Sequence, residues 1–240
     1  MSRQENAATI INDTAIEVGL VPVNDPYSTQ DEAFVQLRGL LNSAGRELVN
    51  MFAWEVLQKK LEITTAPADT GTYDLPTDFD RMIDQSGWNT SSRLPVYGPL
   101  SPQDWAAATS LPIAPVSYIV FKLSQNKLQL FPNTPVPSPM DLSWWYISRN
   151  WVVGANDETT DRATNGSDVI VYDPSLVVKF LKVKFLSAKG YDIAVAAREF
   201  DMTFMNLTGQ DKGAVILRAG GRNGYPYLGV RNVPWTGYGS

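Results

Sequence analysis

The stretch that decides the fold is TQDEAFVQLRGLLNSAGRELVNMFAWEVLQ, residues 29–58. Its apolar residues recur at spacings of three and four, which places them on one face of an α-helix. They are Phe34, Leu37, Leu41, Ala44, Leu48 and Met51. Thr29 and Glu32 form a capping-box pattern at the start. We predict a long amphipathic helix that ends near Gln58, and its one-sided apolar face requires other helices to pack against.

Helices are also predicted towards both ends of the chain. In the first of them, Gly19 stands where a left-handed C-cap belongs. The apolar face of that helix consists of Ala7, Ile11, Thr14 and Val18. Asp173 followed by Pro174 is typical of an N-cap and the first helical position. The helix that starts there breaks at Gly190, and a second C-terminal helix then extends to about Lys212.

The middle of the chain is rich in β-branched and aromatic residues and loses the helical repeat. We predict strands there at residues 61–65, 118–123, 127–131, 142–147 and 169–172. Residues 124–126 suit a hairpin turn, and Ser101 caps a short helix over residues 101–107 that lies on the sheet. The polar stretch 154–167 is predicted to be a mobile loop or a hairpin tip.

The order of these elements predicts an α+β fold. The N- and C-terminal helices form a helical bundle, a β-rich insertion with one short helix projects from it, and an extended C-terminal tail follows. The predicted boundaries are 1–60 for the first helices, 61–172 for the insertion, 173–215 for the last helices and 216–240 for the tail.

The composition excludes several kinds of chemistry. The 240 residues include no His and no Cys, which rules out a Ser-His-Asp triad, a thiol nucleophile, a disulfide framework and a thiolate zinc site. A net charge of -5 argues against a general nucleic-acid binder. We expect no cofactor and no metal site. We also expect no membrane association, because no uncharged apolar run approaches the roughly 20 residues that cross a bilayer.

Three segments carry a likeness to a known family. Residues 7–48, AATIINDTAIEVGLVPVNDPYSTQDEAFVQLRGLLNSAGREL, resemble the start of the head-to-tail adaptor proteins of tailed bacteriophages, a family that includes tail tubular protein A. Residues 73–81, YDLPTDFDR, resemble the element that leads into the β insertion of that family, and residues 100–105, LSPQDW, resemble another segment of such phage proteins. The family pattern falls on Ala15, Gly19, Ala33, Leu37, Leu41 and Asn42.

This resemblance implies a structural virion protein and not an enzyme. Subunits of such an adaptor form a ring, typically a dodecamer, that joins the portal protein to the tail nozzle or tube and continues the channel for DNA ejection. The implied location is the head–tail interface of a virion assembled in the host cytoplasm, where a chain without Cys suits the reducing conditions. The acidic balance suits a channel wall that DNA passes without specific binding.

The C-terminal tail is the predicted interface with the portal or a neighbouring subunit. It is rich in glycine, contains no acidic residue and carries aromatic side chains of the kind that dominate binding energy at interfaces. The candidate interface residues are Tyr225, Tyr227, Trp235 and Tyr238, together with Arg222 and Arg231. We expect further contacts from the exposed faces of two long helices, the one within residues 29–58 and the C-terminal one that extends to about Lys212.

A second function remains open, that of a carbohydrate-binding or peptidoglycan-cleaving tail-associated module using the β insertion. Asp78, Asp80 and Asp84 could act as the acid and nucleophile of a glycosidase, although carboxylates in such loops usually bond turns. Aromatic residues could stack on sugars, but we favour a packing role, with neighbouring Trp144 and Trp145 on opposite faces of one strand. These aromatic residues are Trp88, Trp105, Trp144, Trp145, Tyr146 and Trp151.

Two groups of charged residues are candidate binding sites. The first lacks the spacing of a calcium loop, so we favour a solvated loop, and it comprises Asp157, Glu158, Asp161 and Asp168. The second is a row of lysines on one helix, Lys179, Lys182, Lys184 and Lys189. For this row we favour pairing with an acidic neighbouring subunit, with Glu47 and Glu55 as candidates, over contact with DNA.

Overall fold

The computed structural model describes residues 4–67, 69–110, 119–132 and 139–211. Within these ranges it contains α-helices and antiparallel sheets, which confirms the predicted α+β class. The α-helices are α1 Ala7–Glu17, α2 Glu32–Met51, α3 Pro102–Ser110, α4 Pro174–Lys189 and α5 Ala194–Asp211. Two short 3-10 helices are Glu55–Leu57 and Ala155–Asp157. No helix in the described ranges is long and apolar enough to cross a bilayer.

In the described part of the chain, the strands form three antiparallel sheets. The strands are β1 Glu5–Asn6, β2 Gln58–Thr65, β3 Thr72–Asp74, β4 Phe79–Met82, β5 Trp88–Asn89, β6 Leu94–Pro95, β7 Val120–Ser124, β8 Lys127–Phe131, β9 Met140–Ser148, β10 Val152–Val153, β11 Thr159–Thr160 and β12 Val169–Ile170. One sheet has the order β1-β12-β10-β11, and a small one has the order β3-β8-β7. The largest has the order β2-β9-β5-β6, with β4 also paired to β9.

The long helix α2 carries the predicted apolar face except for Met51, which is 44 % exposed, and it has different ends. Leu37, Leu41 and Leu48 are fully buried, as predicted. The helix is capped by Asp31, whose carboxylate accepts a hydrogen bond from the Ala33 N–H at 2.8 Å, and not by Thr29. It ends at Met51 and not near residue 58. The reason is tertiary, because residues from 58 onward pair with β9 along all eight residues of β2.

Helix α1 agrees closely with the prediction. Asn6 caps its start by accepting a hydrogen bond from the Thr9 N–H at 2.8 Å. Gly19 follows its end with φ +80°, the left-handed conformation that favours glycine. The Leu20 N–H donates to the Ala15 carbonyl at 2.8 Å, which satisfies one of the carbonyls left unpaired at the helix end.

Helix α4 is the element on which the other long helices pack, since it contacts α1, α2 and α5. Asp173 caps it through the Ser175 N–H at 2.9 Å, and Gly190 ends it with φ +77°, as the sequence predicted. Leu176, Val177 and Leu181 of α4 are fully buried. They share one core cluster with Ile10 and Ile11 of α1, Leu41 and Leu48 of α2, and Phe200 of α5. The helices from both ends of the described chain therefore share a core.

A second core lies within the β-rich part. It comprises Phe121, Leu128, Leu130, Leu142 and Trp144, which are all at most 1 % exposed. The predicted strands are present, although most differ by one or more residues at their ends. The residue-118 end of one predicted strand lies outside the described residues. The predicted domain boundaries at 60, 172 and 215 stay predictions.

The predicted hairpin turn and short helix are both present. Gln125 and Asn126 join β7 to β8 with φ +52° and +59°, values that suit the tight turn of a two-residue hairpin. Helix α3 is capped by Ser101, as predicted, and reaches Ser110, three residues further than predicted. It lies on the β7–β8 hairpin, where the Trp105 ring contacts Phe131 edge-on.

Candidate assembly surfaces

The acidic residues near β4 hold the sheet together. The Asp78 carboxylate accepts hydrogen bonds from the Lys59 ammonium at 2.6 Å, the Ser148 hydroxyl at 2.8 Å and the Tyr146 hydroxyl at 3.0 Å. Burial, the largest single effect, would raise the pKa of Asp78, but the bonds from Lys59, Ser148 and Tyr146 together lower it. Burial and the bond to Asp78 raise the pKa of Tyr146 to about 12. Asp78 therefore joins β2 and β9 to the loop before β4.

The neighbouring pair Asp80 and Arg81 connects the sheet to the helices. One guanidinium nitrogen of Arg81 contacts Asp80 at 2.7 Å. Another donates to the carbonyls of Val49 and Phe52 at 2.8 and 2.9 Å, at the end of α2. Helix ends leave carbonyls without helical partners, and Arg81 satisfies two of them. This contact between distant segments has no local sequence pattern, and the sequence reasoning did not find it.

The polar stretch 154–167 is more ordered than the prediction of a mobile loop. It contains β11, whose pairing with β10 makes a hairpin, the second predicted form. The buried Asp168 carboxylate accepts hydrogen bonds from the N–H groups of Thr164 at 2.7 Å and Asn165 at 2.9 Å. The Asp168 carbonyl accepts the Ala7 N–H at 2.8 Å. The prediction of a solvated loop is therefore wrong for Asp168, because its carboxylate and its carbonyl anchor the loop to the start of α1.

Among the described residues, no group of three or more acidic side chains is arranged to hold a metal ion.

Two lysines of α4 are paired within the chain. Lys182 contacts Glu17 of α1 at 3.1 Å and Glu199 of α5 at 3.4 Å. Its hydrogen bond to Glu17, the largest effect, raises the pKa of Lys182. Lys184 contacts Glu47 of α2 at 2.7 Å. The favoured pairing with an acidic neighbouring subunit was wrong for these two lysines, because the helices packed on α4 already supply the acids.

The other two lysines of that row also have contacts within the chain. The Lys179 ammonium donates to the Thr203 hydroxyl at 3.0 Å. The Lys189 ammonium lies over the Phe185 ring, 5.5 Å from its centroid. The row therefore belongs largely to the packing of α4.

The predicted division of Trp144 and Trp145 between two faces of a strand is confirmed. Trp144 is fully buried and contacts Phe121 edge-on, with ring centroids 5.6 Å apart. Trp145 is 44 % exposed, and of the six aromatic residues weighed as a stacking platform it is the one on the exposed surface. Trp151 is also fully buried. The packing interpretation therefore accounts for most of that group.

Helix α5 presents an apolar face to solvent, opposite the face that packs on α4. Tyr191, just before the helix, and Val195, Met202 and Met205 recur at spacings of four, seven and three. Their exposed fractions lie between 59 % and 72 %. Val195, Met202 and Met205 share one side of α5, with the exposed Arg198 between Val195 and Met202. Together with Tyr191, which precedes the helix, these three apolar residues are called here the α5 stripe. Exposed apolar residues grouped on one side of a helix are a candidate surface for protein–protein contact.

A cleft of about 840 Å³ lies where the described chain ends. Trp54, Tyr172 and Leu207 give it apolar walls, and Glu55 and Asp211 stand at its rim. The Asp211 carboxylate accepts the Glu55 N–H at 2.9 Å, which holds the end of α5 against the chain after α2. The lining residues come from three distant parts of the sequence, so no local motif indicated the cleft.

The predicted interface residues of the tail lie outside the described residues. They are Arg222, Tyr225, Tyr227, Arg231, Trp235 and Tyr238. Their role stays a prediction.

Comparison with known proteins adds one finding to this geometry. The sequence model of the SU10 adaptor protein family matches residues 5–222. The match includes every helix and strand named above and extends beyond Asp211. A search among curated proteins found no match.

Proposed function

The chain belongs to the SU10 adaptor protein family, a phage adaptor family, and on that basis we propose that it is a structural virion protein that joins the portal to the tail. The observation that carries the proposal is the family match over residues 5–222, which spans nearly the whole chain. The likeness to tail tubular protein A is part of this proposal, with the tail nozzle or tube as the second partner.

We propose that the subunits assemble into a ring under the portal, with the dodecamer that is typical of such adaptors. A ring requires a heterologous contact, in which one surface of a subunit meets a different surface of the next. The α5 stripe suits one side of such a contact, since it is apolar, exposed and borne by a helix whose other face is anchored in the core. Its side chains are available without any change in the fold.

The four long helices would act as one bundle at the centre of this assembly. Support comes from the shared core around α4 and from the ion pairs that connect Lys182 and Lys184 to α1, α2 and α5. The β-rich part would project from the bundle, attached through Arg81 at the end of α2.

The C-terminal tail would bind the portal or a neighbouring subunit through its aromatic residues. Tyr and Trp are enriched among the residues that dominate interface energies, and Arg side chains add charged contacts at such sites. DNA would pass through the ring without specific binding, in keeping with the net charge of -5 and with the pairing of the α4 lysines inside the chain.

The proposed role is not enzymatic. The best acidic candidate for catalysis, Asp78, already accepts three hydrogen bonds from its own fold. Exposed Trp145 is the one observation that favours the alternative, a carbohydrate-binding module, since an aromatic face on a sheet can stack on a sugar ring. Retention on peptidoglycan that the change Trp145→Ala abolishes would support that alternative. If the unchanged chain and the Trp145→Ala variant both pass over peptidoglycan without retention, the result favours the adaptor role.

The adaptor proposal is tested by sedimentation of the full chain with portal rings of the same phage. We expect the chain to co-sediment with the rings. The changes Trp235→Ala and Tyr238→Ala, made together, should abolish this without altering the far-ultraviolet circular dichroism. A chain with both changes that still binds the rings would contradict the role assigned to the tail.

A further inference from the structure

The cleft at the end of α5 has an apolar part beside its polar lining residues. Trp54 and Tyr172 lie edge to face in its wall, with ring centroids 5.9 Å apart. Their polar atoms are already bonded elsewhere, since the Trp54 indole N–H donates to the Leu48 carbonyl at 2.7 Å and the Tyr172 hydroxyl donates to the Gly45 carbonyl at 3.2 Å. Both residues are nearly buried, with Trp54 6 % and Tyr172 2 % exposed, and the small area of ring that they leave open to the cleft is apolar.

The rim of the cleft is acidic. Three lining residues are acidic, namely Glu55, Asp211 and Asp173, and Asp173 is also the N-cap of α4. None of the residues that the structure places along the cleft is a lysine or an arginine. Val56, also in the lining, is 44 % exposed. A segment with apolar side chains between positive charges would complement this surface.

Such a segment follows Asp211 directly in the sequence. Residues 212–218 read KGAVILR, which places four apolar residues between Lys212 and Arg218. No acidic residue occurs from residue 212 to the end of the chain, so the segment carries no repulsive charge. Gly213 permits a sharp reversal of the backbone. The family match extends to residue 222, so this segment lies within the part of the chain that the family shares.

Distance also favours this occupant. Asp211 lies on the rim, and residues 214–217 follow it at a reach of about 10–20 Å for an extended chain. A segment tethered this closely has a high effective concentration at the cleft. A free peptide or another protein would have to compete with it for the same site.

We propose that residues 213–218 of the same chain fold back into this cleft, with residues 214–217 against Trp54 and Leu207 and with Arg218 near the acidic rim. The contact between the segment and the cleft does not depend on the proposed function; only its consequence for the tail rests on that function. The docked segment would fix the base of the tail, so that residues 219–240 leave the subunit from a defined point towards their partner.

Photo-cross-linking of the full chain tests the proposal. The photoreactive amino acid benzoylphenylalanine replaces Val56 in the cleft or, as the matched control, Leu94, which is 40 % exposed on β6. After irradiation and trypsin digestion, we expect the Val56 position to be linked to the peptide GAVILR, residues 213–218. Because the segment is tethered at the cleft, the yield should be about tenfold above that of the Leu94 control.

A mixture of isotope-labelled and unlabelled chains distinguishes the possible occupants. Links that always join two peptides with the same label come from one chain and support the proposal. Mixed-label links would overturn it and would indicate that a neighbouring copy fills the cleft. Links to residues 223–240, or no excess over the Leu94 control, would overturn it as well.

A second variant probes the apolar contact itself. The change Ile216→Asp in the full chain should reduce the Val56 link to the level of the Leu94 control, because a carboxylate would enter an apolar cleft with an acidic rim. An unchanged yield would contradict the proposal. Co-sedimentation of the same proteins with portal rings is a separate readout, so a failed cross-link leaves the adaptor role standing, and failed co-sedimentation leaves the cleft contact standing.

Discussion

Gly45 of α2 and Trp151 of the β-rich part occupy neighbouring space so closely that a β-carbon on Gly45 would overlap the indole ring of Trp151. The indole N–H of Trp151 donates to the Asp161 carbonyl at 3.0 Å, which fixes the ring in that place. Tyr172 stacks on Trp151 and donates its hydroxyl to the Gly45 carbonyl at 3.2 Å. A glycine in the middle of α2 is therefore the condition for this contact between α2 and the β-rich part.

The change Gly45→Ala should lower the free energy of unfolding. Overpacking a filled core costs about 1–3 kcal/mol, which exceeds the gain of about 1 kcal/mol in helix propensity. The matched control is Gly39→Ala in the same helix, where an added β-carbon meets no atom within 4 Å. That change should stabilise the protein in the same urea titration. Equal effects of the two changes would contradict the packing described here.

Asp78 should make stability depend on pH in the acid range. Its folded-state pKa is below that of the unfolded chain, so the stability it contributes is complete above the unfolded value and is lost as the pH falls through the folded one. The change Asp78→Asn should lower stability at pH 7 by about 1–3 kcal/mol and flatten the acid limb of the profile. Asp84→Asn, at an exposed position, is the control. A profile for Asp78→Asn parallel to that of the unchanged chain would refute this role.

Arg81 should hold the end of α2 to the sheet. The change Arg81→Met removes the donor to two carbonyls and should lower the free energy of unfolding by about 1–3 kcal/mol. Amide hydrogen exchange should also quicken in the last turn of α2 while that of α1 stays unchanged. Arg46→Met, at an exposed position of α2, should leave both measurements near their original values. Slow exchange in the last turn despite Arg81→Met would show that the contact contributes little.

The α5 stripe should matter for assembly and not for folding. The changes Met202→Glu and Met205→Glu lie on an exposed face, so each should alter stability by less than about 0.5 kcal/mol. Together they should abolish the formation of rings with the portal, measured by sedimentation. Phe200→Ala, on the buried face of the same helix, should cost about 3–5 kcal/mol instead. If the variant with both Glu changes assembles normally, the α5 stripe is not part of the interface.

Sequence reasoning succeeded where the deciding interactions are local. The apolar repeat of α2, the left-handed Gly19 and Gly190, and the Gln125–Asn126 turn each depend on residues within a few positions of one another. The alternation along a strand likewise separated buried Trp144 from exposed Trp145.

The sequence was less informative where distant segments decide the structure. The end of α2 at Met51 depends on the pairing of β2 with β9, a strand that is distant in the sequence. Gln58, the first residue of β2, pairs with Ile147. The Lys184–Glu47 pair joins α4 to α2, so the charge of Lys184 is paired within the chain. The Arg81 contact and the cleft beside Asp211 are assembled in the same way, from residues that no short pattern connects.

Negative-stain electron microscopy of the full chain, purified and mixed with portal rings of the same phage, tests the central claim most directly. The adaptor role predicts a second ring stacked coaxially on one side of each portal, with one chain for each portal subunit in the simplest arrangement. Portal rings that remain bare at a large excess of the chain would contradict it.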